Sequence, residues 1–580
     1  MKPTIRTPEF CRRGAAAVAA AAVLAATSAV SAATAAGNLI RNGEPAGYVV
    51  LPGGTGEGVL RSAAEDLVAI LTKMGGKPFP LRFDWDFEDN EPPGFRILVG
   101  ATSLAPVRAA WISPRRVGYD GFVIRSVRNG VVIAGRTAAG TANGVCQFAE
   151  QVLDAHWWSM RESGPTVPRR ANVTVPRLRL TVKPDFAMRI NWLSLAAKYL
   201  PEDVAGRDGA WSRFQGYGGL AGYAGHILYD VVPADLFETH PEYFPWIDGQ
   251  RRRQHPKYPS HGLHNIQRCF TNPDVLRMAV EHTRAFFEQY PDLRWASLSP
   301  NDGGGYCDCA ACRELGPTPA YRHLAFANRV AEANEALFPN RRYAFYAYMG
   351  GSLDPPRGMR AHRNVFPIIT PVTLCRTHSI LSECPSCTRR REAILGWDKI
   401  ADRLGMYTYL NGGPYCTPAL ETVAAEIRFL RDHGGFTFRR ENTAAPSAGW
   451  EMLVWVQAKL LWDADRDVAA LRRQFIEGYY GRACADRVEA VFAAMDRGVR
   501  NLPVTPLPPD WDKDQNVHPH NALPRQKLQP LIDACHADLV AAVELAATEP
   551  DEGCRQNVIR DMGILLGKFP KELEGKLEPW

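Results

Sequence analysis

The chain lacks a strong excess of either charge. Its 580 residues carry 68 Lys and Arg against 62 Asp and Glu, a net of +6. Much of that surplus sits at the extreme N-terminus, which leaves no basic footprint for nucleic acid. Beyond residue 35 no run reaches the length of about 20 apolar residues that a membrane span needs. There is no internal repeat. No Gly-rich phosphate loop follows a strand-like segment, and there is no Walker loop, no His-Glu-x-x-His and no Ser-His-Asp order. P-loop, zincin and serine-triad chemistry therefore have no carrier here. The composition is 46% hydrophobic and 22% charged, which excludes a collagen-like chain, a coiled coil and a wholly disordered chain.

What is abundant is aromatic. Fourteen Trp and nineteen Tyr are enough for large cores or for a stacking surface under a flat ligand. At the N-terminus, Lys2, Arg6, Arg12 and Arg13 precede an Ala-rich apolar run from Ala15 to Leu24. Val30-Ser31-Ala32 or Ala33-Thr34-Ala35 then fits a small-x-small cleavage site. This predicts a signal peptide over residues 1–35, with Arg12-Arg13 as a twin-arginine option and a membrane anchor as the alternative. Losing four positive charges and Glu9 leaves a mature charge of about +3. The mature protein is expected to be secreted or periplasmic, without a stable membrane span, in a compartment that permits disulfides.

Residues 40–178 read as a small α+β domain. A strand at Tyr48–Leu51 is followed by Leu60, Ala63, Ala64, Leu67, Ile70 and Leu71 at helical spacing, closed by Gly75-Gly76. Strands at Phe95–Val99, Phe122–Arg125 and Val131–Ala134 follow, with Asn129-Gly130 as a hairpin turn and a second helix over about 141–153. From 180 to 460, strands and helices alternate. The expected strands are Met188–Leu193, His226–Leu228, Ala296–Ser299, Tyr343–Tyr348, Val365–Thr370, Met406–Tyr409 and Phe436–Phe438. Asn272-Pro273 opens a helix that runs to about Tyr290, and another spans about 320–337. This pattern predicts an α/β fold, a (β/α)8 TIM-type barrel, with a doubly wound sheet as the alternative. Residues 461–580 read as a helical C-terminal region. It holds a Pro- and Asp-rich connector over 502–525 and one amphipathic helix over 530–547.

Polar residues at the carboxyl ends of barrel strands tend to carry chemistry. The segment Ser299-Pro300-Asn301-Asp302-Gly303-Gly304-Gly305 stands at such a place. It aims the Asp302 carboxylate at the bowl of the barrel, or else it is a turn. Glu441 lies a few residues past the last strand, with Glu451 ten residues on. It is a second carboxylate or the ion-pair partner of Arg439 or Arg440. Two carboxylates flanking a sugar are the common machinery of glycoside hydrolysis. Arg189, Asn191, His226, Tyr407, Tyr409 and Asn411 sit near strand ends and suit a sugar's hydroxyls and faces. Cys309-x-x-Cys312 and Cys384-x-x-Cys387, with Cys307 and Cys375 beside them, form a third signal. The exported setting favours disulfides clamping two loops, and a shared four-thiolate zinc site is the alternative. Either role is structural, and no other cofactor is expected.

The run His226 … His240-Pro241-Glu242-Tyr243-Phe244 … Cys269-Phe270-Thr271-Asn272-Pro273 … Ser297-Leu298-Ser299-Pro300-Asn301-Asp302 … Cys307-x-Cys309-x-x-Cys312 resembles an exported bacterial family catalogued as domain of unknown function 4838. Cys375 … His378 … Cys384-Pro385 … Trp397 is similar to the same family. Asp120-Gly121-Phe122-Val123-Ile124 and Ala134-Gly135-Arg136-Thr137 through Thr141 resemble the non-catalytic domain before the barrel in α-glucuronidases and β-hexosaminidases. The resemblance implies a glycosidase-type barrel, with Arg189 as a sugar-binding residue on the first strand and Asp302 as the acid. The β-hexosaminidases carry Asp-Glu where this chain has Asn301-Asp302, which puts substrate-assisted cleavage of N-acetyl sugars in doubt.

The expectation is an exported glycoside hydrolase-like protein acting on a polysaccharide or glycan. Asp302 is the general acid and Glu441 the base or nucleophile, with Arg189, His226, Asn301, Tyr409 and Asn411 binding substrate. A non-catalytic carbohydrate-binding protein and a polysaccharide lyase are the alternatives.

Overall fold

The computed structural model describes residues 35–87, 92–105, 107–192, 208–256, 266–348, 351–372, 375–409, 419–441, 448–504 and 525–567. The expected signal peptide up to residue 34, most of the 502–525 connector and Asn411 lie outside them. The chain forms two compact units. One comprises residues up to Arg116, Gly121–Ala155 and Val167–Val182, and the other Val117–Asp120, His156–Thr166 and everything from Lys183.

In the first unit, β1 (Ala35–Arg41), β2 (Gly47–Leu51), α1 (Val59–Gly75), β3 (Leu81–Phe83), β4 (Phe95–Val99), β5 (Phe122–Val127), β6 (Gly130–Gly135), α2 (Ala138–Gln151), β7 (Val173–Pro176) and β8 (Arg179–Val182) follow in order. The apolar stripe of α1 buries Ala63, Ala64, Leu67, Ile70, Leu71 and Met74, and Gly76 ends the helix at φ 84°, the left-handed cap that glycine adopts freely. Asn129, at φ 53°, turns the β5–β6 hairpin. The six-stranded sheet runs β3-β2-β4-β6-β5-β8.

The second unit is built on a seven-stranded sheet. Its strands are β9 (Met188–Trp192), β10 (Gly218–Gly219), β11 (Trp295–Ser297), β12 (Arg342–Ala347), β13 (Val365–Ile369), β14 (Leu404–Tyr409) and β15 (Gly435–Glu441), in the order β10-β9-β15-β14-β13-β12-β11. All but β10 run parallel. The helices between them include α3 (Pro273–Gln289), α4 (Pro319–Asn334), α5 (Pro385–Ile400) and α6 (Leu420–Asp432). Asn272 opens α3 by accepting from the backbone N–H groups of Asp274 and Val275, with Pro273 first in the helix. The segment after β10 curls the sheet. Leu220 N–H donates to Ala187 O on one side, while Tyr223 N–H donates to Trp295 O and Arg294 N–H to Ala221 O on the other.

The fold is therefore mixed α/β with a curled, largely parallel sheet. Among the described residues it holds six parallel strands rather than eight regular β/α units. The expected strand His226–Leu228 shrinks to one bridge, His226 with Ser299, and Leu228–Val231 is a helical turn. The pairing of residues 220–223 with both neighbours has already taken the place that a longer strand would fill. Inside the curl pack Met188, Leu220, Trp295, Tyr346, Tyr348, Phe366, Ile368 and Tyr407.

After the sheet come α7 (Trp450–Trp462), α8 (Val468–Tyr479), α9 (Ala485–Arg500), α10 (Arg525–Ala534), α11 (His536–Ala546) and α12 (Glu552–Leu565). The single helix expected over 530–547 is two. Cys535 closes α10 with a tight bond to Ile532 O and heads α11, a 3₁₀-type turn that breaks the run. Among the described residues no helix is long and apolar enough to cross a membrane.

Candidate active site

Side chains two apart on a strand share a face. At the carboxyl ends of β12, β14 and β15 this brings Tyr346 and Tyr348, Tyr407 and Tyr409, and Arg439 and Glu441 together. Tyr407 and Tyr409 stack at 5.1 Å, and Tyr346 tilts against Tyr407 at 5.4 Å. The Arg439 guanidinium covers the Tyr407 ring at 4.6 Å, and that of Arg376 covers Tyr409 at 4.4 Å. Arg439 also donates to Ala224 O at 2.7 Å, which ties the cluster to the curled segment.

Both expected carboxylates lie in this cluster. Glu441 is the last residue of β15 rather than a loop residue past it, and it accepts a hydrogen bond from the Tyr407 hydroxyl. Arg439 and Arg440 are engaged elsewhere, Arg440 with Glu426 at 3.1 Å. Asp302 accepts from the Tyr348 hydroxyl at 3.0 Å. His226 donates through Nδ1 to Pro300 O and turns Nε2 to within 3.8 Å of Asp302 Oδ1. His226 also meets Tyr346 edge-on at 5.3 Å. The Asp302 side chain is 57% exposed, so it faces open solvent rather than a dry pocket.

Burial pushes the hydroxyls of Tyr346, Tyr348, Tyr407 and Tyr409 well above the usual tyrosine range. The charges of Glu441 and Asp302 both add to the rise at Tyr409. These four phenols therefore stay protonated at neutral pH and serve as hydrogen-bond donors. Burial pulls Arg376 down to about 10, against the pull of Tyr409 and Glu441, and it remains a cation.

Three sequence expectations change. Arg189 is fully buried and is not open to a substrate. It pairs with Asp120, donates to Gly216 O at 2.9 Å and Phe186 O at 2.8 Å, and lies 4.5 Å from the Trp462 ring centroid. Asn301 is also fully buried. Its Oδ1 accepts from Tyr229 N–H at 2.9 Å and its Nδ2 donates to Ile266 O at 2.8 Å. It fixes the loop that presents Asp302 instead of meeting a ligand. Glu451 is 2% exposed on α7 and pairs with Arg161 at 2.8 Å. The sequence reading missed Tyr346, Tyr348, Arg376 and Arg439. The two tyrosines were legible as polar ends of a buried strand, whereas Arg376 comes from a loop with no such mark.

The cysteines form two clusters, not one. Cys269, Cys307, Cys309 and Cys312 have sulfur atoms within 4.8 Å of one another, and so do Cys375, Cys384 and Cys387. The cysteines of both clusters are not joined by disulfides. The expected link between the two Cys-x-x-Cys motifs gives way because each motif has nearer partners, Cys269 for the first and Cys375 with His378 for the second.

No curated protein matches the chain. Among solved structures, it is similar to a family 138 glycoside hydrolase targeting pectin rhamnogalacturonan II, with 10% identity and a TM-score of 0.49 over 91% of this chain and 70% of that one. It is similar to a family 89 glycoside hydrolase from Clostridium perfringens in complex with GlcNAc-α-1,4-galactose, with 11% identity and a TM-score of 0.44 over 74% of this chain and 56% of that one. It spans just over half of that second structure. A third is the family 20 β-N-acetylhexosaminidase from Streptomyces coelicolor A3(2), with 12% identity and a TM-score of 0.42 over 81% of this chain and 95% of that one. Residues 159–492, which hold the tyrosine cluster and both cysteine clusters, match the family described as domain of unknown function DUF4838, and the chain belongs to that family.

Proposed function

We propose that the chain is an exported glycoside hydrolase-like enzyme that cleaves glycosidic bonds in a polysaccharide or glycan on a barrel of (β/α) type. Asp302 acts as general acid and Glu441 as base or nucleophile. His226 and Tyr409 contact the sugar, as does Asn411 on sequence grounds. The observation that carries the reading is the pair of carboxylates, each held by a tyrosine hydroxyl within one aromatic cluster. Stacked rings suit a sugar's C–H face, and the flanking Arg376 and Arg439 suit its hydroxyls. A sugar seated on the tyrosines would take Asp302 out of water, as an acid donor requires. A lyase needs a tyrosine or histidine base; burial keeps these phenols protonated, so that reading would rest on His226 alone.

The test is turnover of a glycan panel by folded Asp302→Asn and Glu441→Gln variants beside the parent. Loss of acid–base catalysis is expected to cost about 10²- to 10⁴-fold, with folding intact. Variants that keep activity within a few-fold would move the acid and base elsewhere. A parent protein that binds a glycan without cleaving it would leave a carbohydrate-binding module.

A further inference from the structure

We propose that the two cysteine clusters are two separate structural zinc sites, one of four thiolates (Cys269, Cys307, Cys309, Cys312) and one of three thiolates and an imidazole (Cys375, His378, Cys384, Cys387). The distances carry this. A tetrahedral zinc with Zn–S bonds of about 2.3 Å sets its sulfurs about 3.8 Å apart, and an S–N edge about 3.6 Å. Cys269 Sγ stands 3.9 Å from Cys309 Sγ and 3.8 Å from Cys312 Sγ. Cys375 Sγ stands 3.4 Å from His378 Nδ1. In the first cluster the Cys269 separations are those of a metal's ligands and lie far outside the bonding distance of about 2.05 Å, and in the second the three sulfurs lie within 4.8 Å of one another.

The surroundings fit the same reading. His378 Nε2 donates to Leu502 O at 2.7 Å, so its proton sits on Nε2 and the Nδ1 lone pair faces the sulfurs. A carbonyl fixing the far nitrogen is the usual support of a metal-bound histidine. In the other cluster, Cys307 Sγ accepts from Trp246 N–H at 3.2 Å and lies 3.6 Å from Arg251 Nη1. N–H groups and a cation are the partners that thiolates on zinc require, since four of them leave the site with two negative charges. Both Cys-x-x-Cys pairs are built alike, with Cys309 and Cys384 each standing just before a helix. Four protein ligands leave no open position, so the metals hold structure and do no chemistry.

Each site fastens one loop of the candidate active face. The four-thiolate site closes on Cys307, five residues after Asp302, and ties that loop to Cys269 at the start of α3. The other ties Cys375, next to Arg376, to the first turn of α5. The sites are independent of the hydrolase reading, because their test reads metal and not turnover. The full chain is measured by native mass spectrometry and elemental analysis, with zinc-edge X-ray absorption. Two zinc ions per chain are expected, with Zn–S near 2.3 Å and a minority nitrogen shell. Cys309→Ser and Cys384→Ser should each lose one zinc and keep the other. Fewer than two zinc ions per parent chain, iron in their place, or disulfide-linked peptides joining cysteines of either cluster would overturn the proposal. If both variants fail to fold, the parent's stoichiometry and absorption spectrum decide.

Discussion

The guanidinium of Arg189 spends its donors on Asp120, Gly216 and Phe186, in a place that water does not reach. Removing one member of a buried ion pair leaves the other charged and uncompensated, at a cost of about 3–5 kcal/mol. Arg189→Met should therefore lower the urea midpoint by a corresponding amount and leave KM unchanged in the protein that still folds. Adding Asp120→Leu should recover part of the loss. A variant of normal stability with a raised KM would return Arg189 to the sugar site. The residue was misread because a strand position says which face a side chain takes and not what waits there. Asp302 and Glu441 stood out in the sequence as carboxylates at strand ends, and each accepts from a tyrosine hydroxyl. Their tyrosine partners, by contrast, arrive from strands 46 and 34 residues away.

At the scale of elements, local chemistry was legible and non-local pairing was not. Asn272-Pro273 announced α3 because a cap and a proline act within one turn. The bridge at His226 was overread as a strand because its length depends on what Ala221 and Tyr223 do with Trp295 and its neighbours. The ligand sets escaped for the same reason: Cys269 is 38 residues from Cys307 along the chain, and only the fold joins them.

Helix α4 carries a further device of this kind. His323 is fully buried between Phe270 at 5.0 Å and Phe345 at 4.7 Å, with Nε2–H donating to Leu298 O at 2.8 Å. Burial pushes its pKa from 6.5 down to about 4. The folded state thus binds fewer protons than the unfolded state between those values. Stability is complete above pH 6.5 and is lost as pH falls through 4, by up to about 1.4 kcal/mol per pH unit. His323→Gln should flatten this slope when urea midpoints of the two proteins are subtracted between pH 4 and 7. Equal slopes would place the acid sensitivity in another group.

At the scale of the whole molecule, the first strand meets the expected leader. Strand β1 begins at Ala35, and its register runs Ala35 with Pro176, Gly37 with Val175 and Ile40 with Val173. Its core contribution begins later, at Leu39 and Ile40, which are 0% and 1% exposed. Cleavage after Ala32 would leave the strand whole. Cleavage after Ala35 would remove one residue pair at the strand's terminus, where a backbone bond contributes least. Either cut spares the apolar burial that holds β1, so removal of the leader should be neutral for stability. A chain starting at Ala33 is expected to melt within a degree or two of the full chain. In a bacterial host, the protein should be recovered outside the cytoplasm with a new N-terminus near residue 33 or 36, by N-terminal sequencing. A large drop in melting temperature on truncation would make the leader part of the fold, and a cytoplasmic protein still beginning at Met1 would end the case for export.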